Sequence, residues 1–199
     1  MLLRASHPDA LFESGKGMKM VDEQIYLEVT EITEIGEGMR VCIDFVDVLS
    51  ESDGLFVGNT GEGYIKVLSE NRHSEGYPPR PFRINCGSFH QYIYQEDKSN
   101  YLHEIEPGVG LIIAGEDEKK SVPVGRVKME KRPLIRVVCS DGNKTISATL
   151  QKSTSVFVTT EAHPAVNILD LKTGDRILCQ TDKPGRHLGK QIDEIIVEK

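Results

Sequence analysis

No apolar run in this chain approaches the roughly twenty residues that a membrane-crossing helix needs. The opening Met1-Leu2-Leu3-Arg4 gives way at once to polar residues and Pro8, too short a stretch for a secretion signal. Basic charge is also short: 24 Lys and Arg face 31 Asp and Glu, for a net charge of −7 and a pI near 5.4. Nothing in that balance recruits a phosphate polymer or an anionic membrane. The one basic stretch, Arg126 to Arg136 (RVKMEKRPLIR), alternates like two strands about Pro133, so no nucleic-acid partner is expected. The four cysteines, Cys42, Cys86, Cys139 and Cys179, form no Cys-x-x-Cys pair, which argues against a zinc knuckle or a redox motif. Free thiols inside apolar runs such as RVCIDF and RILCQ behave as small core residues, which points to a reducing, cytoplasmic setting. There is no Gly-x-Gly-x-x-Gly turn and no P-loop, hence no dinucleotide site of the usual kind.

What the chain does have, from Gln24 onward, is a succession of short apolar runs separated by Gly, Asp and Asn turns: IYLEVTEI, RVCIDFVDVL, GLFVG, YIKVL, FRINC, LIIAG, LIRVVC, TISATL, SVFVTT and RILCQ. Regular short strands without a long amphipathic helix predict an all-β fold, a mostly antiparallel barrel or sandwich with little helix. Three segments at near-equal spacing, around Gly38, Gly108 and Gly174, read as repeated multi-strand blocks. A small helical turn is expected at Ala165 to Leu171. Residues 1–23 read as a flexible lead or remnant, and 24–199 as the β domain.

Several ordered blocks give this domain a relationship. GEGMRVCIDF, GLFVG, RPFRINCGSFHQY, VGRVKMEKRPL, LQKSTSVFV and GRHLGKQIDEIIVEK resemble, in that order, the C-terminal part of the archaeal-type 3-dehydroquinate synthase II family. The likeness implies an enzyme of aromatic biosynthesis that uses NAD to convert an amino-heptulosonate, by oxidative deamination and ring closure, into dehydroquinate. Related proteins are similar to aminohydroxybenzoate synthases, which close a related ring. Members of the family carry a sizeable domain ahead of the region that begins here near Gln24, so a separate N-terminal subunit or self-association into a homo-oligomer is expected. The family's Asp-Thr-Cys-Ser-Leu-Met segment stands here as Asp44-Phe45-Val46-Asp47-Val48-Leu49, a loss of two hydroxyls and a thiol.

Within the matched blocks, Arg80, Arg83, Arg132 and Arg186 lie at Pro or Gly junctions, where a planar guanidinium can grip a carboxylate with two hydrogen bonds; solvated surface arginine is the alternative. His90, His187 and Glu194 are candidates to move protons in ring closure or to hold a divalent metal, against the plainer reading of satisfied structural histidines. Asn85 with Gly87 offers an amide and bare backbone N–H groups to a developing enolate, or else forms a turn. Lys128 and Glu130 share one strand face, and Gln151 sits at a strand end. Two functional classes follow. One is a dehydroquinate-synthase-II-like enzyme acting on a small anionic, sugar-acid-like substrate; the other is a non-catalytic β domain that binds a ligand or an assembly partner.

Overall fold

In the computed structural model residues 23–96, 98–187, 190–191 and 195–198 are described. They form fourteen strands in one sheet: β1 (Gln24–Phe45), β2 (Gly54–Thr60), β3 (Gly63–Glu70), β4 (Arg80–Ser88), β5 (Tyr92–Gln95), β6 (Lys98–Tyr101), β7 (Gly110–Ala114), β8 (Lys119–Ser140), β9 (Thr145–Gln151), β10 (Phe157–Val158), β11 (Val166–Asn167), β12 (Arg176–Thr181), β13 (Arg186–His187) and β14 (Lys190–Gln191). The only helical element among the described residues is a 3-10 turn at Leu102–Glu104. The all-β expectation therefore holds, with every strand pairing antiparallel. No helix of the described residues is long and apolar enough to cross a membrane.

Two 22-residue strands form the spine. β1 and β8 pair along most of their length, from Glu28↔Ser140 to Phe45↔Val124. Along its other edge β1 pairs first with β12 and then with β4. β8 pairs along its other edge with β7 and then β9. β3 joins β12, β4 and β2, and β2 touches β7 through the single pair Gly54↔Ala114, so the strands make a partial ring rather than a clean barrel.

Period-two alternation sorts the spine's side chains. In RVCIDF of β1, Val41, Ile43 and Phe45 enter the core beside Ile84 and Cys86 of β4. Full burial of Val41 or Ile43 stabilises by about 1.5–3 kcal/mol each. Arg40, Cys42 and Asp44 point to the opposite face, and they too are buried. That second face holds the polar site.

Three local expectations change. Residues 126–136 are one stretch of β8, unbroken at Pro133. The Pro133 carbonyl accepts from Lys152 N–H at 3.0 Å, just beyond the last β8–β9 pair Leu134↔Gln151, so its missing N–H falls where that ladder ends. Residues 165–171 hold the two-residue β11 and one turn closed by Asp170 N–H to Asn167 O, not a helical element, because Asn167 Oδ1 takes the Leu169 N–H. Of the three repeat glycines, Gly108 and Gly174 do the same job. Each is third in a four-residue turn, with φ of 90° and 94°, and each donates its N–H to a neighbouring strand, to Val124 O and Val29 O respectively. Gly38 instead lies inside β1, opposite Arg132.

Candidate functional site

The registers of β4, β1 and β8 write a charged face directly. Asp44 stands opposite Arg83 on one side and Arg126 on the other; Cys42 stands between Asn85 and Lys128; Arg40 faces Glu130; Gly38 faces Arg132. Cross-strand neighbours lie about 4.5–5.5 Å apart at Cβ, so opposite charges at these positions meet without any loop to bring them together. A bulge at Val41/Cys42, where Gly87 takes a φ of 81°, keeps Asn85 and Arg83 on the same face as Arg40 and Asp44.

Above this face opens a cleft of about 170 Å³. Five cationic side chains line it, Arg40, Arg80, Arg83, Lys128 and Arg132, against two carboxylates, Glu70 and Glu130. Asn85, Gln151, Cys42, Tyr77, Ser153 and Ser155 complete the wall. Four residues expected to bind substrate, Arg80, Arg83, Asn85 and Arg132, are thus brought together. Glu194 lies outside the described residues, and of Arg186 and His187 only the backbone is described, as the β13–β14 hairpin. Two larger hollows, of about 480 and 470 Å³, share Thr160 to His163, contain none of the expected residues and include Glu161. The first also holds the buried Lys66, whose ammonium donates to Gly115 O at 3.0 Å; burial holds its pKa below the ordinary value against the pull of Asp53 and Glu116. Convergent cations with unpaired polar atoms make the smaller cleft the candidate site, in preference to size.

The cations are not equally free. Arg83 spends one edge of its fork on Asp44, at 2.6 and 2.9 Å, and Arg126 reaches the same carboxylate at 2.8 Å. Burial alone would raise the Asp44 carboxyl, but the hydrogen bonds from Arg83 and Arg126 outweigh it and hold the group below its ordinary value. The same pairing pushes the Arg83 guanidinium up. Arg40, 5% exposed, contacts Glu130 Oε2 at 2.6 Å and the Cys42 sulfur. Glu130 also holds Lys128 and Arg132, each at 3.1 Å, and these cations, Lys128 first, keep its carboxyl below the usual range. Arg80 stacks on the Tyr77 ring at 4.7 Å and meets Glu70 at 2.6 Å, a charge contact without hydrogen-bond alignment.

Two buried polar atoms of the cleft walls have no partner, Arg40 Nε and Asn85 Oδ1, while Arg80 Nε and Glu70 Oε2 face each other at 2.6 Å outside hydrogen-bond alignment. A buried polar atom left unpaired costs about 1–3 kcal/mol. An unpaired donor and an unpaired acceptor in one hollow are the complement of a ligand that carries both. Asn85 is otherwise held by Gln151, at 2.9 Å.

His90 does not line the cleft. Its ring lies 2.9 Å from Ser88 Oγ and 3.2 Å from Asn59 Oδ1, so both nitrogens have side-chain partners, and partial burial holds its pKa below the ordinary value. No group of three His, Cys, Asp or Glu positioned for a metal ion occurs among the described residues. Sequence reading missed Arg40, Asp44 and Glu70. The first two were available from the alternation of RVCIDF set against that of GRVKMEKR; Glu70, at the end of an apolar strand, had no such signal.

Comparison with known proteins places this geometry. Residues 26–199 match the C-terminal domain of 3-dehydroquinate synthase II. Among curated relatives, a 3-dehydroquinate synthase of Methanocella arvoryzae is 36% identical over 172 residues, 86% of this chain and 46% of that protein. Those of Methanopyrus kandleri and Methanoculleus marisnigri are 36% and 37% identical, over 89% and 86% of this chain and 45% and 53% of theirs. The chain spans about half the length of the curated relatives it matches. No solved structure matches it significantly.

Proposed function

Since the chain belongs to the 3-dehydroquinate synthase II family, through that family's C-terminal domain, we propose that its cleft binds the amino-heptulosonate substrate of a ring-forming step in aromatic biosynthesis. The observation that carries this reading is the gathering of five cations around one hollow in a chain whose net charge is −7. Arg80 and Arg132, each held by a single carboxylate at 2.6 and 3.1 Å, grip the substrate carboxylate with their remaining N–H groups. Arg40 Nε and Asn85 Oδ1 supply a donor and an acceptor to the hydroxyl-bearing carbons. Asp44 and Glu130 are fixed anions that hold the guanidinium planes in place, so little reorganisation is needed when the ligand enters.

Nicotinamide use, which the family likeness implies, finds no fitting cradle among the described residues. They contain no α-helix whose N-terminus could take a pyrophosphate, and the cationic cleft is too small for a dinucleotide. A divalent ion fares similarly at His90, whose nitrogens are engaged by Ser88 and Asn59. No step is therefore routed through either group. The catalytic unit, on this proposal, also needs the part that makes up the remaining half of the relatives' length, and four buried free thiols suit a cytoplasmic setting.

Thermal unfolding with dehydroquinate tests the reading. A ligand at 100 times its Kd stabilises by about 2.7 kcal/mol, or about 5–11 °C for a domain of this size. Arg80→Ala and Arg132→Ala should each abolish most of the shift. An unmoved melting temperature for the wild type, or full shifts in both variants, refutes the clamp. Stabilisation without turnover, even with the N-terminal part of a relative added, favours a ligand-binding β domain instead.

A further inference from the structure

The two carboxylates of the cleft differ in a way that the arginine clamp does not explain. Glu130 has three cationic partners and is a permanent anion. Glu70 is more deeply buried, at 4% exposed, yet its Oε2 meets one cation only, Arg80 Nε at 2.6 Å, and without hydrogen-bond alignment. It is the last residue of β3, and a register shift between Ser69 and Glu70 sets it opposite Arg80 at the cleft wall. Irregularities of this kind re-aim side chains at sites. Burial raises the Glu70 carboxyl, and the combined pull of Arg80, Ser155, Arg83 and Arg40 does not offset it. Two acids in one site, pushed in opposite directions by their surroundings, divide into a fixed charge and a proton carrier.

We infer that Glu70 is the catalytic base of the cleft, taking the proton from the carbon beside the ligand's ketone and returning it after the ring closes. The inference rests on the ring-forming reading above. In the first step the C–H bond breaks, its electron pair moves to the ketone as an enolate, and the Glu70 carboxylate becomes a carboxylic acid. In the second the enolate carbon attacks the carbonyl carbon that an earlier oxidative deamination, by a nicotinamide oxidant and outside this step, leaves where the amine stood. A C–C bond forms, and the electron pair of that C=O π bond goes to its oxygen, which takes the proton back from Glu70. No electrons are gained or lost overall, so the step needs no oxidant. Arg80, 2.6 Å from Glu70, lies where the enolate charge develops.

The experiment follows deuterium uptake from D2O into bound dehydroquinate, at the carbon beside the ketone that ring closure joins, as the ring opens, takes up deuterium and recloses without net turnover, read by mass spectrometry. The wild-type chain should exchange that position well above the buffer rate. Glu70→Gln should keep the dehydroquinate-induced melting shift and lose exchange by about 100-fold or more, the usual range for a positioned base. Glu70→Asp, which keeps the carboxylate but shortens its reach, should bind equally and exchange at an intermediate rate; it also decides the matter if the Gln variant fails to fold. Equal exchange in wild type and Glu70→Asp or Glu70→Gln, with binding intact, overturns the role of Glu70 while leaving the clamp standing. A wild type that binds without exchanging does the same. No melting shift in the wild type removes the clamp and this inference together.

Discussion

Replacing Asp44 by alanine tests the charged face at its most buried point. Asp44 is 4% exposed and Arg83 7%. Without its carboxylate, Arg83 loses contacts of 2.6 and 2.9 Å and is left as a buried guanidinium with its main counter-ion gone. Removing one partner of such a pair costs about 3–5 kcal/mol. The Arg126 arm adds little, since its side chain is 62% exposed. At about 2–4 °C per kcal/mol, the melting temperature should fall by roughly 6–20 °C. Asp44→Ala combined with Arg83→Met should recover most of that loss, because an apolar replacement of both partners removes the unpaired charge as well as the bond. The pH dependence has a definite sign. The folded carboxyl lies below its ordinary 3.8, so its stabilisation is fully present above the unfolded pKa and is lost as pH falls through the folded one. Calorimetric melting of wild type and variant should therefore show a constant gap from about pH 5 to 8 and a narrowing gap in more acid buffer. A single variant within 2 °C of wild type at pH 7, or a double variant no better than the single, refutes the reasoning; roughly 2 °C is under one kcal/mol here.

Gly87→Ala should destabilise by about 2–4 kcal/mol, because its φ of 81° is strained for alanine and the added Cβ would sit 2.2 Å from Thr149 O; a melting temperature unchanged from wild type contradicts the bulge geometry. All four thiols should resist an aromatic disulfide reagent at pH 8 in the native chain and react fully in denaturant, since all are buried and burial pushes the Cys42 thiol up to about 12. Rapid labelling of even one native cysteine argues against this core. Pro133→Ala should cost no more than about 1 kcal/mol, as the proline sits where the β9 ladder ends; a loss several times larger means that the ring itself braces β8.

Much of the fold was legible because strand signals are local. Turn residues and period-two alternation recur within ten residues, and β2, β7, β9 and β12 fall where the apolar runs GLFVG, LIIAG, TISATL and RILCQ predict them. The failures are cases where partners decide. Pro133 reads as a break in isolation, but inside β8 it costs nothing on the β1 side, where the ladder continues through Glu37↔Pro133 and Gly38↔Arg132. Gly38 resembles Gly108 and Gly174 in its flanking residues, yet it is held in extended backbone by the same long ribbon. Local sequence cannot register a strand 22 residues long whose two edges serve three neighbours.

The site divides along the same physical line. Arginines at Pro and Gly junctions could be picked out one at a time, and three of them, with Asn85, do line one cleft. Their counter-ions could not, because an acidic residue in a chain with 31 of them carries no label until a register sets it opposite a base. Asp44 acquires its role from Arg83 and Arg126, and Glu130 its buried partner Arg40, through pairings that span 39 to 90 residues of sequence. Glu70 is the extreme case. Its significance lies in a contact it lacks, an aligned donor at Oε2, inside a wall of cations that otherwise neutralise every carboxylate they reach. A reactive carboxyl in such surroundings is produced by imperfect pairing, and imperfect pairing is a property of three-dimensional packing alone.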